Sequence, residues 1–175
     1  MTTPAAIAAE PGAPPPPAPD PAIRRATRWV AVAGGVISIA TALLVTSSVT
    51  LRWLGYGAIN GDFELVQVGV ALSVFCFLPL TQARRGNIVV DTFTGWLPLR
   101  VQWAIDAFWD FVYAGFMALI AWCLMNGARD ALASGLNSAM LGLPLWPVFA
   151  MTVLLVLLLA ATAIDTGVKL LRDRP

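Results

Sequence analysis

Four long uncharged apolar runs, residues 29–51, 65–83, 111–128 and 145–164, constrain this chain more than anything else in it. Each is close to the roughly 20 residues that an α-helix needs to cross a hydrocarbon core about 30 Å thick. Backbone in that core must satisfy its own N–H and C=O groups, so runs of this length read as membrane helices. Composition points the same way. The chain is 58% hydrophobic and only 12% charged, where a soluble domain carries about 25% charged residues. The expected fold class is therefore all-α integral membrane, with four transmembrane helices spanning about 29–51, 64–83, 105–128 and 145–165. A length of 175 residues fits one compact unit.

The ends of the runs carry boundary signals. Trp29 and Trp53 flank the first, where indole rings prefer the headgroup level. Gly34-Gly35, Ser38 and Thr41 within it allow close helix approach. Asp62 and Glu64 open the second, Asp62 as its expected N-cap, because acids suit a helix start. Pro79 lies inside it and reads as a kink with local rescue. Helical periodicity of the third run extends upstream to Leu99, after Pro98. A helix over 99–128 would be about 45 Å long, so it tilts or its first turns leave the membrane. Pro147 and Trp146 suit the start of the fourth, and Asp165 and Lys169, four apart, can pair at its far end. Residues 1–22 are Ala/Pro-rich without Lys or Arg. They lack the positive n-region of a secretory signal and read as a retained, disordered cytoplasmic tail ahead of a membrane domain over 23–175.

Four spans put both termini on one side, and basic residues choose the side. Nine of the 11 Lys and Arg fall with the termini and the central connection, leaving Arg52 and Arg129 opposite. Both termini are expected in the cytoplasm.

Chemistry-bearing patterns are sparse. The chain has no histidine, which disfavours haem anchors, zinc sites and most general-base enzymes. Cys76 and Cys123 both fall in apolar runs and read as small buried apolar residues. Neither a phosphate-binding loop nor a dinucleotide fingerprint occurs, and a net charge of +1 gives no pull toward nucleic acid. No catalytic, substrate-binding or metal-binding residue and no cofactor is expected. Asp106 and Asp110 share a helix face with Gln102. They read either as an intramembrane proton relay or as a polar stripe at the cytoplasmic interface, and helix length favours the stripe. Glu64, with Gln67 three residues on, reads either as a coupling-ion site or as a helix-start carboxylate near the periplasmic surface. Asn126 and Asn137 read as helix-end or turn residues, and Ser134-Gly135 and Gly142 as turn formers.

The connection Arg84-Arg85-Gly86-Asn87-Ile88-Val89-Val90-Asp91 is the most distinctive polar segment. Arg84 and Arg85 suit the last carbonyls of the second helix and lipid phosphates. Gly86 suits a left-handed cap, and Asp91 can cap a short amphipathic segment over 92–97. With Trp96 and Trp103 this predicts an interfacial elbow between helices 2 and 3. Over about residues 25–172, the chain resembles the small, DctQ-like membrane subunit of tripartite ATP-independent periplasmic (TRAP) transporters. The resemblance rests on size, four spans, this basic-Gly-x-Ile-x-Val-Asp pattern, an acidic residue near the second span (Glu64) and the loop Leu141-Gly142-Leu143-Pro144-Leu145-Trp146. Many members of that family carry His where this chain has Asn87. The resemblance implies a non-catalytic subunit of a bacterial inner-membrane heterocomplex. A large permease subunit would carry the organic acid and the coupling ion, usually sodium. A periplasmic binding protein would deliver the substrate. The alternatives are a small subunit of a tripartite tricarboxylate-type carrier and a stand-alone membrane protein.

Overall fold

The computed structural model describes residues 20–57, 59–84 and 99–172. Among them lie four α-helices: α1 Pro21–Trp53, α2 Asp62–Ala83, α3 Leu99–Ser134 and α4 Trp146–Arg172. All four are long and apolar enough to cross a membrane, the class that the apolar runs imply. Three of them run well past those runs. The 33 residues of α1 measure about 50 Å and the 36 of α3 about 54 Å at 1.5 Å per residue. α1 begins at Pro21, where the missing N–H costs no helical hydrogen bond. α2 passes through Pro79 without interruption.

Two boundary expectations need correction. The N-cap of α2 is Gly61, in the left-handed region at φ 75, and not Asp62; the Asp62 carboxylate is turned toward α1 instead, as described below. Asn126 is an interior residue of α3, because that helix continues to Ser134 and ends at Gly135, with φ 62. Gly there relieves the Cβ strain that such a turn imposes. Arg85, Gly86, Asn87, Asp91 and the rest of the expected elbow lie outside the described residues.

The helices pack in the order α1–α2–α4–α3. The α3–α4 seam is the most extensive, followed by α1–α2 and then α2–α4. Small residues at seven-residue intervals build the two larger seams. On α1 the series is Thr27, Gly34, Thr41 and Ser48; Thr27, Gly34 and Ser48 are buried. On α2 the facing series is Asp62, Gly69 and Cys76. A Cβ added to Gly34 would lie 2.6 Å from the Cys76 Cβ, and one on Gly69 would overlap the Thr41 hydroxyl. These pairs fix an antiparallel register, and seven-residue spacing keeps both series on one face along the full seam.

α3 and α4 repeat the device. Ala107, Ala114, Ala121 and Ala128 are all buried on α3, as are Val153, Ala160 and Gly167 on α4. A Cβ on Gly167 would lie 3.3 Å from the Asp110 Cβ and 3.5 Å from the Ala107 carbonyl oxygen. Stepping back seven residues on one helix and forward seven on the other sets Ala160 against Ala114 and Val153 against Ala121. Lipid tails are as apolar as leucine, so close backbone approach through small residues drives this association. α4 carries a second buried ridge, Thr152, Val156, Leu159, Ala163, Thr166 and Leu170, as expected of the helix that packs against both α3 and α2.

Several hydroxyls in the seams bond their own helices. Thr41 donates to the Ile37 carbonyl at 2.8 Å, Ser73 to Gly69 at 2.7 Å and Thr166 to Thr162 at 2.8 Å. They therefore contribute small volume without leaving an unsatisfied donor. α1 engages mainly α2, and its outer ridge of Val32, Val36, Ile39 and Leu43 is exposed. Cys76 is buried as expected, whereas Cys123 lies on an exposed face; its position on α3 points away from the alanine seam.

Candidate functional site

The head of α2 meets the α1–α2 and α3–α4 connections at one end of the molecule. Glu64, on the first turn, accepts three hydrogen bonds from the loop between α3 and α4: Ser138 Oγ at 2.6 Å, the Met140 amide at 2.9 Å and the Leu141 amide at 3.2 Å. The loop is folded to present those donors. Ser138 N–H donates to the Leu143 carbonyl at 2.8 Å, and Gly142 N–H donates back to Ser138 at 3.2 Å. Asn137 pairs with Pro144, and Gly142 takes φ 62 at the corner. The Met140 and Leu141 amides point inward across this turn, toward an anion. A carboxylate there also complements the positive end of the α2 dipole.

Gly61 completes the clasp. A Cβ at this position would overlap the Leu141 side chain, and its φ of 75 already favours glycine. Leu141 thus seats directly on the backbone that enters α2, while its amide binds the carboxylate three residues further on.

Asp62 performs the corresponding task toward α1. It accepts a short hydrogen bond from Ser48 Oγ and another from the Phe63 amide at 2.7 Å. Ser48 Oγ in turn accepts the Ile59 amide at 3.4 Å. Arg52 lies 3.7 Å from the same carboxylate, but its side chain is 63% exposed. Solvent screening leaves such a pair little weight, so the Ser48 bond sets the geometry. Two carboxylates on one helical turn thereby bind α1 on one side and the α3–α4 loop on the other. Chemically this is an anchoring arrangement, with ionised acceptors holding N–H and O–H donors in place.

At the opposite end, Gln82 is 3% exposed and its Nε2 donates to Asp110 Oδ1 at 2.9 Å, joining α2 to α3. Asp110 also borders Gly167 in the α3–α4 seam, so α2, α3 and α4 meet at this residue. Asp106 is half-buried one turn earlier on α3. Close to this end, Lys169 bridges Asp165 at 3.0 Å and Asp20 at 2.9 Å, and the Asp20 amide donates to Asp165 at 3.1 Å. The expected Asp165–Lys169 pair is present, and it also fastens the start of α1 to the end of α4. The hydrogen bond and charge of Lys169 hold the Asp20 carboxyl below the usual carboxylate range.

The expected site residues are therefore not gathered in one place. Glu64 and Gln82 are 18 positions apart on α2, about 27 Å along the axis, so Glu64 and Asp110 mark opposite ends of the molecule. Arg84 is the C-cap residue of α2, its amide bonded to the Gln82 and Leu80 carbonyls. Sequence reasoning passed over Ser48, Gln82, Ser138 and Asp20. Of these, Ser48 carried a signal, standing seven residues beyond Thr41 in the α1 series. No group of three or more His, Cys, Asp or Glu able to hold a metal occurs among the described residues.

A family model described as Tripartite ATP-independent periplasmic transporters, DctQ component, matches residues 41–173. The matched region takes in Glu64, the loop that binds it and the Gln82–Asp110 contact. No curated protein and no solved structure matches.

Proposed function

Because this chain belongs to the DctQ component family of TRAP transporters, a family of small permease subunits, we propose that it braces the large permease subunit in the bacterial inner membrane. The large subunit moves an organic acid with a coupling ion, sodium in this reading, after a periplasmic binding protein delivers the acid. The small subunit performs no chemistry, and both of its termini face the cytoplasm.

The observation that supports bracing is the open row of helices. α1 packs mainly against α2 and leaves the ridge Val32-Val36-Ile39-Leu43 outward, while the ties at Asp62 and Glu64 hold the row in a fixed shape. A rigid frame whose α1 edge is apolar and uncovered suits a larger membrane partner. In this reading Asp106 and Asp110 belong to the interfacial stripe, and the segment from Arg84 to Asp91 is an architectural elbow that lies along the membrane.

Co-expression with the large subunit and purification in mild detergent test the proposal. Trp at Val36 and Ile39 should release the partner, whereas Trp at Leu119, which is exposed on α3, should not. Retention of the partner by the α1 variant, or solute transport by this chain alone in liposomes, refutes the bracing role. For the elbow, the double variant Gly86→Val/Asp91→Ala should impair assembly; normal co-purification and transport would sink that part. For orientation, a Cys at Asn60 or Asn137, in a background lacking Cys76 and Cys123, should react with an impermeant thiol reagent from outside the inner membrane.

A further inference from the structure

At the end of the molecule that carries the α1 start, α1 and α2 enclose a groove of about 1030 Å³. Its walls carry four guanidinium groups, from Arg24, Arg25 and Arg28 on α1 and Arg84 at the end of α2. Among the described residues no carboxylate lies within ion-pair distance of any of them; Asp20 and Asp165 are held by Lys169 instead. Four like charges around one space repel one another, and an anion placed between them reverses that term. Arginine suits a phosphate in particular, because its planar fork of donors matches two phosphate oxygens at once.

The rest of the groove is not polar. Trp29, 66% exposed, stands at its rim, and Val32 and Leu80 extend its lining toward the membrane-spanning part of the two helices. A volume near the top of the roughly 300–1,000 Å³ range of small-molecule clefts exceeds what a bare anion fills. Charge above, an indole at the boundary and aliphatic side chains below match the order of groups in a phospholipid. Basic residues of membrane proteins collect on the cytoplasmic side, where the leaflet is rich in anionic lipid.

We propose that this groove is a binding site for an anionic phospholipid, its phosphate held between Arg28 and Arg84 and its acyl chains lying along Val32 and Leu80. The inference rests on the reading of the chain as a membrane subunit with cytoplasmic termini. It adds a lipid that joins α1 to α2 at the end opposite Asp62, where Ser48 performs that task.

The test uses the full chain purified in mild detergent, without its partner, so its outcome is separate from that of the bracing experiment. Native mass spectrometry and thermal unfolding would be followed with dioleoylphosphatidylglycerol, dioleoylphosphatidylcholine or inorganic phosphate added. Retention and stabilisation should be selective for phosphatidylglycerol. Arg28→Gln and Arg84→Gln should each weaken them several-fold, while Arg129→Gln, at the other end, should leave them unchanged. If the Gln variants fail to insert, Arg28→Lys/Arg84→Lys keeps the orienting charges and removes the forks. Reduced phosphatidylglycerol retention then supports the site, and unchanged retention overturns it. Equal binding of phosphatidylcholine, or equal stabilisation by inorganic phosphate alone, also overturns it. So does a complex with the large subunit that carries no phosphatidylglycerol and dissociates on Arg28→Gln/Arg84→Gln, which would identify an acidic protein partner instead.

Discussion

Gly34 and Gly35 are neighbours on the same helix, and they should respond oppositely to the same added methyl group. At Gly34 the new Cβ would lie 2.6 Å from the Cys76 Cβ and 3.3 Å from the Ser73 carbonyl oxygen; at Gly35 nothing lies within 4 Å. Carbon atoms pack at about 3.5–4.0 Å, so Gly34→Ala must force the α1 and α2 backbones apart by about 1 Å or distort them. Overpacking of that kind costs about 1–3 kcal/mol. Both substitutions also gain the helix propensity of alanine over glycine, about 1 kcal/mol. Taking the difference between the two variants removes that shared gain. Gly34→Ala should therefore unfold about 1–3 kcal/mol more readily than Gly35→Ala, measured by denaturant titration of the isolated chain in mixed micelles. Adding Cys76→Gly removes the opposing Cβ and should recover part of the loss, a coupling of about 1 kcal/mol. Equal stabilities for the two single variants, or no recovery with Cys76→Gly, would refute the seven-residue seam as the basis of the α1–α2 contact.

Three further outcomes follow from the ties at the helix ends. Glu64→Gln keeps one acceptor oxygen and points an amide at donors, so the Met140 and Leu141 amides should exchange with deuterium several-fold faster than in the parent, with the α3 interior unaffected. Gln82→Leu removes the donor to Asp110 Oδ1 and should lower stability by about 1 kcal/mol, read in the same micelle titration; an unchanged midpoint would count against the tie. The Asp20 carboxyl titrates below its ordinary range because it bonds Lys169. A carboxyl with a depressed folded-state pKa contributes stability above its unfolded value and loses it as pH falls through the folded one. The Asp20–Lys169 contact should accordingly persist at neutral pH and release only on acidification below the usual carboxylate range, which protease sensitivity near Pro21 would report. Release at neutral pH would contradict the pairing.

The fold was largely legible because the membrane imposes so few solutions: long uncharged runs must be helices, and each run falls almost wholly within one helix. What periodicity of hydrophobicity could not reveal was which face packs. Leucine and valine serve lipid and seam alike, so the apolar pattern carries no inward direction. The direction lies in the small residues, in Thr27-Gly34-Thr41-Ser48 and Ala107-Ala114-Ala121-Ala128, where the seven-residue interval is visible once glycine, alanine, serine and threonine are counted by themselves. Of the Gly34-Gly35 pair, only Gly34 lies in a seam. At the site, Glu64 and Asp110 were recognisable as unusual charges, but their partners were not. Ser138, Met140 and Leu141 reach Glu64 only through the fold of a loop more than seventy residues away in sequence, and two of the three bonds come from backbone amides, which carry no residue signature.

The packing order α1–α2–α4–α3 also bears on how the molecule is made. α1 and α2 emerge in succession and can close their glycine seam as a hairpin during synthesis. α3 follows, and its alanine series has no mate until α4, still to be translated, enters between it and α2. Among the described residues, the Gln82–Asp110 hydrogen bond ties α3 directly to that hairpin. Nor can Glu64 be clasped before the loop ahead of α4 exists. α4 is therefore the helix that converts two separate parts into a single body, and a chain stopped before Trp146 should be recognised by the cell as incomplete however well its first three helices insert.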